Sequence, residues 1–193
     1  GAFQALRGHL LRRVGRNDEA RAALRAALTL DVDLIQAMQD LLELADQPAQ
    51  RTAIVREFCA LVVAGRTDGS SVRFLLDPGG DILGHEAMRA WLETLRRAKP
   101  DLHAAVSALI AQDIARQDLA SARVTAEQAC ADFPLLLRAW LDRAAVARAA
   151  ENHDDERNAL ARAAAIEPRS EEVAFYDARL AERCGDPERA RGI

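Results

Sequence analysis

Pro100, Pro134 and Pro168 stand 34 residues apart, and each follows an amphipathic helical stretch. A fixed period of roughly 20 to 50 residues marks an array of similar supersecondary units, none of which buries its apolar face alone. Two periods before Pro100 lies Val32, in Leu30-Asp31-Val32-Asp33, which matches Ile166-Glu167-Pro168-Arg169 in character. The period therefore runs the length of the chain.

Small residues recur twelve and five places before the punctuating residue: Ala20 and Ala27 before Val32, Ala122 and Ala129 before Pro134, and Ala163 before Pro168. Two helices approach closely only where side chains are small, and Ala provides this without the helix penalty of Gly. Between the small-residue helices sit Gly15-Arg16-Asn17-Asp18-Glu19, Gln117-Asp118, Glu151-Asn152-His153-Asp154-Asp155 and Gly185-Asp186-Pro187-Glu188. Each reads as a helix stop followed by a helix start. The chain is half hydrophobic but only 4% aromatic, and its Ala, Leu, Arg and Glu favour helix over sheet.

The 34-residue helix–turn–helix unit, with these small, turn and proline positions, resembles the tetratricopeptide repeat family. Trp140 falls at the family's first-helix aromatic position, Gly8 at a small-residue position, and Leu24 and Leu160 at the large apolar place of the second helix. The resemblance implies an all-α chain of about eleven helices, forming a right-handed superhelix of stacked antiparallel hairpins, an α-solenoid. It implies one repeat domain over 1–193, with units at 1–34, 35–68, 69–102, 103–136, 137–170 and 171–193. The second and third units depart from the pattern, and the sixth stops short. In the second, Ala53 and Ala60 act as packing positions only if the turn at Asp46-Gln47-Pro48 is one residue short, and the segment from Arg66 to Ser71 reads as a longer loop. In the third, Asp77-Pro78-Gly79-Gly80-Asp81 reads as a turn interrupting the first helix, with the second restored from Gly84 to Leu95. Glu156 stands where the family prefers Ala. Stacked repeats require a polar capping element, and with none evident the chain is expected to be a piece of a longer protein.

The 26 basic and 30 acidic residues give a net charge of −4 and are interleaved, which argues against nucleic acid, including the RNA read by the related pentatricopeptide repeats. The longest apolar runs fall far short of the roughly 18 residues of a membrane span. Cys59, Cys130 and Cys184 are odd in number and widely separated, so they are expected as reduced thiols, the first two packed in helices, in a cytoplasmic protein, with the periplasm as the alternative. His153-Asp154-Asp155-Glu156 carries the residue types of an acid–base site but lies at a helix start, where carboxylates cap and complement the dipole. His9, His85, His103 and His153 are mutually distant and are expected at turns or facing solvent. Neither a cofactor nor a metal is expected, and no nucleophile elbow or phosphate loop is present.

The expected role is therefore a non-enzymatic protein–protein interaction scaffold gripping a partner on the concave face that first helices line; the alternative is a docking or regulatory region of a larger enzyme. The family's clamp for a carboxyl terminus uses Lys and Asn at set first-helix places. Here those places hold Ala5 and His9, Ser107 and Ala111, and Leu141 and Ala145. Helical spacing instead places arginines near the expected concave face: Arg12 and Arg13 in the first unit, and Arg138, Arg148, Arg179 and Arg183 in the fifth and sixth, with Phe175 as an apolar anchor. Guanidinium groups grip carboxylates in a forked geometry, so the expected ligand is a protein or peptide of acidic character. The competing reading pairs these arginines with Glu172 or Glu182 at neighbouring turns.

Overall fold

The computed structural model describes residues 1–185, which form eleven α-helices and no strand. These are α1 (Ala2–Arg13), α2 (Asn17–Leu30), α3 (Ile35–Glu43), α4 (Pro48–Ala64), α5 (Ser70–Leu83), α6 (His85–Ala98), α7 (His103–Ala115), α8 (Leu119–Asp132), α9 (Leu137–Ala149), α10 (His153–Ile166) and α11 (Glu171–Arg183). The chain divides into two compact units, one from Gly1 to Ala105 and one beginning at Val106. The expected turn at Asp186-Pro187-Glu188, the second helix of the sixth unit and the end at Arg191-Gly192-Ile193 lie outside the described residues.

In the first unit, α1 and α2 form a tight hairpin because small residues occupy the crossing. A Cβ on Gly8 would lie 2.6 Å from Leu24 Cγ, and Ala20, Leu24 and Ala27 are fully buried. The next hairpin shifts its turn. Helix α3 has only nine residues and α4 has seventeen, opened by Pro48 in its first turn, where a missing N–H costs nothing. Ala53 and Ala60 are exposed rather than packed, and Ile54, Phe58 and Val62, one period after Ala20, Leu24 and Leu28, fill the core with Val55 and Cys59.

The third hairpin overturns the expected break at Asp77–Asp81, because α5 runs continuously to Leu83 with Pro78 inside it. Gly79 and Gly80 are buried helix residues. A Cβ on Gly79 would meet Met88 Sδ at 2.4 Å, and one on Gly80 would meet the His85 ring at 3.3 Å. They are therefore contact positions for α6, and the turn falls at Gly84, whose φ of 86° suits Gly.

The joint between α4 and α5 has its own lock. Asp33, at the end of the first hairpin, accepts hydrogen bonds from the Thr67 hydroxyl at 2.8 Å, Asp68 N–H at 2.7 Å and Ser71 N–H at 2.9 Å. Asp33 thus caps the start of α5 from 38 residues away. One period after Gly65, Lys99 Nζ donates to the Gly65 carbonyl at the end of α4.

The second unit is built on alanine. Ala122, Ala126, Ala129 and Cys130 of α8 pack with Ala139 and Val146 of α9. Leu141 and Ala144 of α9 join Ala159, Leu160 and Ala163 of α10 and Val173 and Leu180 of α11 in a second cluster, with Trp140 bridging both. Asp118, Asn152 and Ser170 cap α8, α10 and α11 by accepting N–H bonds from Ser121, Asp155 and Val173. The cap of α10 is therefore Asn152, and the acidic run after it occupies the first turn.

Candidate functional site

Each first-helix arginine has a different surrounding, and burial of the nearest carboxylate decides its role. Asp40 of α3 is 1% exposed and requires partners, because an uncompensated buried charge is costly. His9 Nδ1 lies 2.9 Å from its Oδ2, while Arg12 Nη2 at 3.2 Å and Gln36 Nε2 at 3.2 Å serve its Oδ1. Arg12 also pairs with Glu43. His9 is thus half-buried in a helix-to-helix network, not at a turn or facing solvent. His103, expected in the open, is buried at the start of α7.

The same arrangement recurs in the second unit. Buried Asp142 accepts from Arg138 Nε at 3.0 Å, and Arg138 Nη1 reaches Glu172 one period on at 3.3 Å. Glu156, the departure from alanine, is fully buried and receives Arg183 Nη2 at 2.6 and 2.7 Å on its two oxygens. Its neighbours are also engaged: Asp154 pairs with Arg157 and Asp155 with Arg143. Arg12 and Arg183 therefore join neighbouring helices through internal ion pairs, whereas Arg138 holds buried Asp142 of its own helix and reaches Glu172 of α11 at the surface.

Arg148 and Arg179 have no carboxylate partner among the described residues and lie on aromatic rings instead. Arg148 Cζ sits 5.0 Å from the centroid of Tyr176, and Arg179 Cζ 5.7 Å from that of Phe175. The two rings meet edge-on with centroids 5.5 Å apart. The result is a continuous row across α9 and α11, in the order Arg148, Tyr176, Phe175, Arg179. Phe175 is 56% exposed at its centre. Cation–π contact holds the long arginine side chains along the rings. Tyr176 was not singled out from the sequence; its place beside Phe175, 28 residues after Arg148, was the available signal. In the first unit Arg13 is exposed at the end of α1.

The cysteines lie elsewhere. Burial pushes the Cys59 and Cys130 thiols up to about 11, which disfavours the nucleophilic thiolate, and Cys184 is exposed. Among the described residues no cluster of His, Cys, Asp and Glu is arranged to hold a metal ion, and no helix is long and apolar enough to cross a membrane.

No known family's sequence pattern matches the chain, and no curated protein matches it either. Solved structures do. The chain is similar to YrrB, a TPR protein with an unusual peptide-binding site, at TM-score 0.52 and 15% identity, over 90% of this chain and 89% of that one. It is also similar to PilW, a widely conserved type IV pilus biogenesis factor, at TM-score 0.58 and 14% identity, over 99% and 89% of the two chains. At this level of identity the likeness establishes the fold.

Proposed function

We propose that this chain, whose fold is that of the tetratricopeptide-repeat proteins, holds a segment of another protein against the first-helix surface of α9 and α11. The observation that carries the reading is the row Arg148, Tyr176, Phe175 and Arg179, in which two guanidinium groups without carboxylate partners flank an exposed ring. Exposed aromatic and arginine side chains are the types that dominate interface energetics. Arginine donors fit carboxylates in pairs, so the segment is acidic and carries one hydrophobic residue for Phe175. The peptide-binding site described for the structural neighbour YrrB supports this class of role.

The test uses a fluorescent peptide with alternating Asp and Glu around a single Leu. The parent protein binds it, and binding weakens as salt rises from low to physiological strength. Reversing Arg148 and Arg179 to Glu together abolishes binding and lowers the melting temperature only slightly, since the one helix-to-helix contact it removes is Arg148 on Tyr176. Retention of the peptide by the double variant, or salt-independent binding, sinks the proposal.

A further inference from the structure

On α1, Phe3, Leu6 and Leu10 are 76, 58 and 53% exposed, and Val14 just after it is 69% exposed. Spacings of three and four place them on one side of the helix. Exposed apolar residues scattered singly need no explanation, but a continuous row marks an interaction surface. The repeat shows what such a row is built to meet. Five periods of 34 residues beyond Phe3, Leu6 and Leu10 stand Val173, Tyr176 and Leu180 of α11. Val173 and Leu180 are 6% and 2% exposed, packed with Ala159, Leu160 and Ala163 of α10, and Tyr176 lies partly buried against the same cluster. In α9 the equivalent Ala139 and Val146 are covered by Ala122, Ala126 and Ala129 of α8. In α3 the equivalents are Ala37, Asp40 and Leu44, all buried. This side of a first helix packs, in the second unit, onto the second helix of the hairpin before it.

The charges agree. Arg183 of α11 grips both oxygens of Glu156, which is buried in α10. The same repeat position in α1 is Arg13, exposed and without a carboxylate partner among the described residues. Arg7 borders the row on its other side, and α1 contains no acidic residue. A second copy presenting its own α1 would set these arginines against one another, which is destabilising.

We infer that α1 seats the second helix of a further hairpin of the same repeat type, which covers Phe3, Leu6 and Leu10 with small apolar side chains. That helix also brings Arg13 a carboxylate at the place Glu156 holds in α10. The inference stands apart from the reading of α9 and α11, because it concerns only α1.

Residues 137–170 supply the probe, since α10 already seats Val173, Tyr176 and Leu180. A copy of this hairpin joined directly before Gly1 keeps the period, because residues 171 and 1 are five repeats apart. Relative to the parent, amide exchange across residues 2–13 slows on the order of tenfold or more, and the melting temperature rises. Arg13→Glu removes most of that gain in the fusion, and Glu156→Arg in the added copy restores it. A helical fusion whose α1 exchanges as fast as the parent's overturns the inference. Should the fusion aggregate, the parent decides: α1 amides exchanging as slowly as those of α9 mean that α1 needs no cover, and faster exchange supports it. Leu10-dependent self-association of the parent in sedimentation assigns the face to a second copy. Leu10-dependent binding to phosphatidylserine vesicles assigns it to a membrane. Either result overturns the seat for a hairpin.

Discussion

Among the described residues, three hairpins reverse direction in one way and the two in the middle do so in another. At Gly15, Gln117, Glu151 and Gly185, places related by whole periods of 34, the backbone is left-handed, with φ of 77°, 60°, 55° and 72°. The equivalent places in the second and third hairpins, Ala49 and Leu83, are helical. There the turn has moved: upstream to Asp46–Gln47 before Pro48, and downstream by one to Gly84. The following helices keep the register all the same: Ile54 and Phe58 of α4 and Met88, Leu92 and Leu95 of α6 are buried at the places of Ala20, Leu24 and Ala27. In the regular hairpins the buried places hold alanine, at Ala20 and Ala27, at Ala122 and Ala129, and at Ala163, whereas in the middle they hold Ile54 in α4 and Met88 and Leu95 in α6, with Gly79 of α5 against Met88. The requirement for close approach is common to both. What differs is whether alanine at a fixed place, or glycine against a long side chain, supplies the room.

That comparison breaks most visibly at the small-residue crossings. Ala122→Leu places a bulky side chain in a fully buried site of α8 and is expected to cost about 1 to 3 kcal/mol, read as a shift in the urea midpoint. Ala53→Leu, one residue before Ile54, which holds the place of Ala122 in α4, is expected to change stability by less than about 0.5 kcal/mol because Ala53 is exposed. Equal losses at both would mean that α4 presents Ala53 to the core, as a turn one residue short requires.

These two alanines also mark how far the sequence was readable. The all-helical hairpins, the small residues at 20, 27, 122, 129 and 163, and the turns at Gly15, Gln117 and Glu151 were legible because periodicity, small size and capping chemistry agreed. The middle misled for a local reason. Pro-Gly-Gly normally signals a turn, and only the proximity of Met88 and His85 reveals that these glycines serve contact within a continuous helix. At the candidate site, the arginines were legible as a class but their division was not. Whether an arginine is internal or available depends on a carboxylate one or more hairpins away, such as Asp40 or Glu156, and on whether that carboxylate is buried.

The lock at the α4–α5 joint gives the next, smaller effect. Burial raises the proton affinity of Asp33, but hydrogen bonds from Ser71 N–H, Asp68 N–H and the Ser71 and Thr67 hydroxyls outweigh it and hold the carboxyl below its ordinary value. A depressed folded-state pKa stabilises above the unfolded value, near 3.9, and that contribution is lost as pH falls through the folded value. Asp33→Ala is therefore expected to cost about 1 to 2 kcal/mol at pH 7, mostly from the unpaired donors. The difference from the parent should shrink as acid melts pass below about pH 4. A difference constant from pH 7 to pH 2 would show that the charged carboxylate is not what holds the joint.

The smallest effect tests the left-handed turns themselves. Gln117 and Glu151 carry a Cβ in a region where it crowds the backbone, at a cost of roughly 1 to 2 kcal/mol for an ordinary L-residue. Gly relieves that crowding but loses more conformational entropy on folding, so Gln117→Gly and Glu151→Gly are each expected to stabilise by only about 0.5 to 1 kcal/mol. Gly15→Ala reverses the argument and should destabilise by about 1 kcal/mol, since nothing lies within 4 Å of the added Cβ and backbone strain is its whole effect. Ala49→Gly provides the contrast, because Ala49 is in the first turn of α4; it should lose stability, by up to about 1 kcal/mol. Urea midpoints of the four variants decide the matter. If Ala49→Gly stabilises as Gln117→Gly does, the second hairpin turns at the regular place, and the separation of the middle hairpins from the rest fails.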